Sequence, residues 1–174
     1  RTRVYRTAVG GALDGGNTLA CDMKKEEGEG PPAYVFKGQA GKLSESAANF
    51  DAHTICFISR PEPALVFMAA AGEYGVHSKG GSLAGDVFED SQPPPGKRRL
   101  GGIRSVSDTG VKAYAVVYQG MVYRLDELKG WTRIDDGLPD SYQLEAIPGV
   151  DASDVYALGL QAALWHSGGM MWVE

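Results

Sequence analysis

The chain has 174 residues, a hydrophobic fraction of 43% and a formal net charge of −5. It can therefore bury a substantial core, and it is a poor candidate for nonspecific nucleic-acid binding. No apolar run approaches the roughly 18 residues that span a bilayer, so the sequence indicates no membrane insertion. The 24 glycines are about twice the usual share of about 7%. Together with the prolines they indicate many tight turns and an all-β protein.

The first 52 residues contain three strand-like segments, Val4–Val9, Thr18–Met23 and Ala33–Lys37, joined by glycine-rich and charged stretches. We expect residues 1–52 to form a degenerate first blade of a repeat array, or a set of capping strands. Residues 40–50 are predicted to contain the one short helical turn of the chain.

The next segment, residues 55–90, is a weak copy of a repeat that is clearer near the end of the chain. Phe67 and His77 are placed 47 residues before Tyr114 and Arg124 of that repeat. Phe88 stands where the clearer copies carry a tryptophan. The proline-rich residues 93–95 absorb the extra length as a surface loop.

The clear repeat covers residues 103–174. Tyr114 corresponds to Tyr156, 42 residues later, and Trp131 corresponds to Trp172, 41 residues later. Each copy divides into four short strands separated by glycine-rich turns. This strand content and this repeat length are typical of the four-stranded blade of a β-propeller. The aromatic residue that opens each fourth strand is expected to pack between neighbouring blades.

We therefore predict an all-β, β-propeller-like array of antiparallel four-stranded blades. About three to four blades share the chain, and we expect a small propeller, an incomplete one, or a ring that another chain completes. The predicted units are residues 1–52, a blade-like repeat at 53–101, and blades at 102–140 and 141–174. Together they form one domain.

The repeat resembles the WD40/YVTN/BNR-like superfamily, and particularly the photosystem-stability-factor-like propellers. The matching segments are Leu144–Ile147, Val155–Gly159, Ala162–Trp165 and Trp172–Val173. The resemblance covers residues 55–174 and is clear over 103–174. It implies a fold and does not imply a function. The aspartate-box pattern of sialidase-type blades is absent, which makes glycosidase activity doubtful.

The sequence contains no motif that specifies a reaction, a metal site or a cofactor. Its three histidines are scattered, and none lies in a zinc-binding pattern. Acidic residues such as Asp151 and Asp154 lie in turns, where aspartate is favoured for local reasons, so a hydrolase is the least favoured function. Cys21 and Cys56 are expected to be buried free thiols of a cytoplasmic protein. A single disulfide in a periplasmic protein is the alternative.

We predict a non-enzymatic, protein-binding propeller, of which the favoured form is an immunity or inhibitor protein that occludes a bacterial toxin or effector. An assembly or scaffold factor and a lectin-like binder of carbohydrates or small ligands are the alternatives. No nucleic acid, membrane or cofactor is expected as a partner, and a homo-oligomer or ring completion by another chain is left open. The predicted contact residues, chosen because aromatic residues and arginine dominate binding hot spots, are Trp131, Tyr118, Tyr142, Arg98 and Arg99.

Overall fold

The computed structural model describes two sets of residues. For 4–13, 16–24, 33–39 and 42–48 it describes the backbone. The second set is described with its side chains and consists of residues 50, 52–59, 62–78, 80–87, 102–109, 112–118, 120–127, 130–139, 142–151, 154–160, 164–168 and 172–173. Residues 53, 149 and 150 of this set are described by their backbone.

The chain begins with two antiparallel hairpins. Strands β1 (Val4–Leu13) and β2 (Gly16–Lys24) form the first, and β3 (Ala33–Gln39) and β4 (Lys42–Ala48) form the second. The three strands predicted here are confirmed. The helical turn predicted at residues 40–50 is wrong, because Lys42–Ala48 pairs along its whole length with β3. Strand β2 also runs beside β3.

Three further antiparallel sheets follow, and in the first two of them neighbouring strands are consecutive in sequence. In the last sheet the first two short strands both pair with the strand that follows them, and together they take the place of the first strand of the other sheets. The leading sheet contains β5 (Ala52–Ile58), β6 (Ala64–Ala69), β7 (Glu73–Ser78) and β8 (Gly81–Asp86). The middle sheet contains β9 (Ile103–Asp108), β10 (Ala113–Val117), β11 (Met121–Asp126) and β12 (Gly130–Arg133). The last sheet contains β13 (Leu144–Ala146), β14 (Gly149–Asp151), β15 (Asp154–Gly159), β16 (Leu164–Ser167) and β17 (Trp172–Val173). The all-β, blade-like class is confirmed, and the sheets do not close into a ring.

The strand register confirms the 42-residue repeat of the middle and last sheets. Tyr114 lies opposite Arg124, and Tyr156 lies opposite His166. Residues that face each other across a strand pair lie on one face of the sheet. The equivalent side chains of the two sheets therefore point in the same direction.

The offset predicted for the leading sheet is wrong by one residue. Val66 lies opposite Val76 there, and these residues occupy the positions of Tyr114 and Arg124, 48 residues later. Phe67 lies on the other face, opposite Gly75. Because side chains alternate between the faces of a strand, a one-residue slip exchanges the two faces of the sheet.

A pair of turn glycines shows the 48-residue offset directly. Gly72 and Gly120 each lie in the turn between the second and third strands of a sheet, with φ of 109° and 79°. This left-handed region favours glycine because a side chain would be strained there. A Cβ atom on Gly120 would also lie 2.8 Å from the carbonyl oxygen of Pro139. The turn is thereby packed against the connection to the last sheet.

Two apolar cores join the three sheets. The first core lies between the leading and middle sheets and includes Val66, Met68, Tyr74 and Trp131. The second core lies between the middle and last sheets. The first strands β5, β9 and β13 run beside one another, β5 next to β9 and β9 next to β13. The sheets are therefore stacked in sequence order with their first strands on one side.

The tryptophans of the fourth strands pack between sheets, as predicted. Trp131 is 3% exposed and meets the ring of Tyr74 in the leading sheet edge-on, with 5.9 Å between ring centroids. Trp172 is 2% exposed, and its indole N–H donates to the backbone oxygen of Ile134 at 2.7 Å. Phe88, the predicted counterpart in the leading sheet, lies outside the described residues.

The thiol of Cys56 is free and buried in the first core. Burial, and secondarily the charge of Asp108, raises the pKa of this thiol well above its ordinary value. A protonated, inaccessible thiol is a poor nucleophile. We therefore expect the folded Cys21→Ser variant to resist a disulfide-exchange reagent and to react fully in denaturant. Rapid stoichiometric labelling of the folded chain would contradict this placement.

Candidate partner-binding surface

The meander topology gives the stacked sheets two ends. The turns between second and third strands, and the connections from one sheet to the next, lie at what we call the connection end. The turns between first and second strands, and between third and fourth strands, lie at the opposite end. Loops at the end of a rigid stack of sheets are the usual place for binding residues.

An ion pair between neighbouring sheets lies at the connection end. Arg104 is the second residue of β9, and Glu145 is the second residue of β13. The Nη2 and Nε atoms of Arg104 donate to Glu145 Oε2 at 2.6 Å and 3.1 Å. The two side chains occupy the same repeat position with opposite charge. Because the first strands run side by side, residues 41 positions apart in sequence meet.

Tyr118 adds an aromatic ring to this ion pair. The guanidinium carbon of Arg104 lies 5.6 Å from the centroid of the Tyr118 ring, within the range of a cation–π contact. The side chain of Arg104 is 46% exposed. The guanidinium is thus held in place by two neighbours while part of its surface remains open to a partner. Such preorganisation lowers the entropy lost on binding.

Tyr142 lies at the same end, in the connection that precedes β13. Its ring is partly buried and meets Trp165 edge-on, with 5.4 Å between centroids. The Tyr142 carbonyl oxygen also approaches Gly120, in the turn that begins at Tyr118. We define the contact surface as Arg104, Tyr118, Tyr142 and Glu145.

The structure brings together two of the five predicted contact residues, Tyr118 and Tyr142. Trp131 lies instead in the core between the leading and middle sheets. Arg98 and Arg99 lie outside the described residues. Sequence reasoning missed Arg104 and Glu145. The signal that identifies them is an arginine and a glutamate at one repeat position in adjacent copies.

A shallow acidic groove of about 480 Å³ lies at the opposite end. Glu62, Ser78 and Ser82 of the leading sheet line it together with Glu127 of the middle sheet. Ser78 donates to Glu62 Oε1 at 2.9 Å. The two carboxylates could accept a cationic side chain. No group of three or more metal-ligating side chains occurs in the part of the chain that the structure describes.

Two histidines form close polar pairs in different sheets. Ser82 Oγ lies 2.6 Å from His77 Nδ1, and Asp154 Oδ1 lies 2.6 Å from His166 Nε2. His77 and Ser82 are register partners on β7 and β8. Their contact is therefore that of a cross-strand pair. Position 77 is not equivalent to 166, since Val76 occupies the repeat position of Arg124 and His166.

Comparison with known proteins gives a sequence relative and a structural neighbour. No family model matches the chain. It is 31% identical over 124 residues to "Immune protein Tsi7" of Pseudomonas aeruginosa, a match that covers 66% of this chain and 39% of that protein. The solved structure of YCF48 bound to D1 peptide superposes with a TM-score of 0.55 at 12% identity, covering 88% of this chain and 48% of that chain.

The structural match shows a β-propeller-like fold. The chain spans less than half the length of either protein. The finer assignment to the WD40/YVTN/BNR-like superfamily stays a prediction. Within the described ranges, no helix has the length and apolarity that crossing a membrane requires.

Proposed function

We propose that the chain is a non-enzymatic immunity protein that binds a toxin protein and blocks its active site. The observation that carries the proposal is the 31% identity with an immune protein over 124 residues. The propeller-like stack of sheets supports it, because such a scaffold presents loops at its ends to a partner.

The contact surface is where we place the toxin. Tyrosine and arginine are enriched among residues that dominate binding energy. Here Tyr118 and Arg104 are adjacent, and the connection end presents them together with Tyr142. The formal charge of −5 would speed encounter with a basic partner. Arg98 and Arg99 remain predicted contacts in the connection that leads into the middle sheet.

A scaffold or assembly role is the second candidate. The superposed YCF48 structure contains a bound peptide, which shows that a fold of this kind can hold a peptide in that protein. We further propose that the two hairpins within residues 1–52, β1 to β4, form a first blade, a proposal supported by β2 running beside β3. A lectin-like role has weaker support, because the three tryptophans are buried in the sheet cores.

The proposal predicts that the tagged chain, expressed in its native host, co-purifies with one stoichiometric protein. Tyr118→Ala is expected to weaken that complex by about 30-fold, since a binding hot spot is worth about 2 kcal/mol. Isothermal titration with the identified partner would measure the loss. Ala84→Asp, on an exposed edge strand away from the contact surface, is the matched control and should bind normally.

Exchanging the charges of Arg104 and Glu145 distinguishes a role in binding the partner from a purely structural role of this ion pair. Arg104→Glu combined with Glu145→Arg restores an ion pair between β9 and β13 but reverses the charges offered to a partner. We expect the double variant to keep its stability and to lose binding. If the double variant binds the partner as tightly as the wild type does, the ion pair has a purely structural role. Purification without a partner, combined with specific hits on a glycan array, would replace the immunity proposal with the lectin-like alternative.

A further inference from the structure

The last sheet carries an exposed apolar face. Its members, which we call the outer face, are Tyr156, Leu158, Leu164 and Val173. Leu158 lies opposite Leu164, and Val173 lies opposite His166 on the same side of the sheet. Leu158, Leu164 and Val173 are 40%, 48% and 51% exposed. With Leu160, they are all of the exposed large hydrophobic side chains among those that the structure describes.

The same repeat positions are fully covered in the middle sheet. Tyr114, Val116 and Val122 correspond to Tyr156, Leu158 and Leu164, and they are 3%, 0% and 0% exposed. The last sheet covers them, and all three belong to the core that joins these two sheets.

The leading sheet repeats the arrangement. Val66, Met68 and Tyr74 occupy the corresponding positions 48 residues before those of the middle sheet, and they are at most 2% exposed. The middle sheet covers them. In both described cases an apolar face at these positions is matched by a neighbouring sheet, and the outer face is the one instance that lacks a neighbour within the described chain.

We propose that a second copy of this chain covers the outer face and continues the stack of sheets. The contact would extend the two sheet-to-sheet interfaces already present, with the same side-chain positions buried. The length of the propeller neighbour favours this occupant, because one copy spans 48% of that chain and two copies supply about as many residues as the whole. A pair of identical chains related by a two-fold axis is the commonest closed assembly.

The polar border of the outer face is compatible with burial. Asp154 is paired with His166 within its own sheet at 2.6 Å, and the ring of Tyr156 stacks on His166 with 4.9 Å between centroids. The hydrogen bond with Asp154 raises the pKa of Tyr156 above its ordinary value, so the phenol stays neutral. The central leucines can then be covered without leaving an unpaired charge at the middle of the interface.

Sedimentation velocity on the purified 174-residue chain, with no toxin present, tests the proposal. We expect a dimer in reversible equilibrium with the monomer. Leu164→Asp should weaken the dimer by at least tenfold, equivalent to about 1.4 kcal/mol, because it places a charge in an apolar contact. Ala84→Asp introduces the same charge on an exposed strand of the leading sheet and should leave the dimer unchanged.

Two results would overturn the proposal. The first is a wild-type chain that stays monomeric up to its solubility limit, which would show that a second copy does not cover the outer face. The second is a dimer that both Leu158→Asp and Leu164→Asp leave intact. Circular dichroism confirms that each variant retains its strands. Because no toxin takes part in the measurement, its failure leaves the proposed immunity function untouched.

Discussion

Replacing Trp172 with alanine is expected to lower the free energy of unfolding by about 3–5 kcal/mol, the usual cost of emptying a buried tryptophan site. Trp172 is 2% exposed in the core between the middle and last sheets. Its backbone N–H also donates to the carbonyl oxygen of Asp136 at 3.1 Å, and its indole donates to that of Ile134. Removing the ring therefore takes away packing and a hydrogen bond together.

Urea unfolding followed by circular dichroism would measure this loss. Trp172→Phe is the matched control, since it keeps an aromatic ring and removes the indole donor. For that variant we expect a smaller decrease in the free energy of unfolding, about 1–3 kcal/mol, because the carbonyl oxygen of Ile134 loses its hydrogen-bond donor. Equal stability of the alanine variant and the wild type would show that the last sheet does not depend on this contact.

The second large effect is expected from Val116→Asp. Val116 is fully buried between the middle and last sheets, and a lone carboxylate there has no described cation to pair with. Burying an unpaired charge is among the changes that exceed about 4–5 kcal/mol. Because a domain has only about 5–15 kcal/mol of stability, we expect the variant to be largely unfolded.

Leu158→Asp is the matched control for Val116→Asp. It introduces the same charge at the equivalent position of the last sheet, where the side chain is 40% exposed. Surface substitutions usually change stability by less than about 0.5 kcal/mol. We expect the monomer of this variant to stay folded by circular dichroism, at a protein concentration below that of dimer formation. Two folded variants, or two unfolded ones, would contradict the difference in burial between the two positions.

The sequence sufficed to predict the middle and last sheets because large side chains mark both copies. Tyr114 and Tyr156 lie near the start of the second strands, and Trp131 and Trp172 lie at or near the start of the fourth strands, at nearly the same offset. The leading sheet lacks such marks, since it carries valine at the position of Tyr114. The nearest aromatic residue, Phe67, then suggested an alignment that is shifted by one residue.

The strand at Lys42–Ala48 shows a second limit of local reasoning. Its small and charged residues are compatible with a helical turn, and their own propensities do not decide between the two structures. Pairing with Ala33–Gln39 over seven residues decides it, because the backbone groups that face the neighbouring strand find hydrogen-bond partners there.

For the contact surface, the sequence identified Tyr118 and Tyr142 by residue type alone and missed Arg104 and Glu145. An aromatic residue near a turn can be recognised from the sequence of a single repeat. An ion pair across two copies exists only once the first strands run side by side.

By itself, then, the sequence determined the class of the fold and the size of its repeat, since glycine-rich turns and recurring aromatic residues are local features of the chain. Only the tertiary structure decided which face of each sheet is covered. Burial depends on the register of one strand against the next and on the presence of a neighbouring sheet. For that reason Val116 and Leu158, equivalent in sequence, differ in exposure from 0% to 40%.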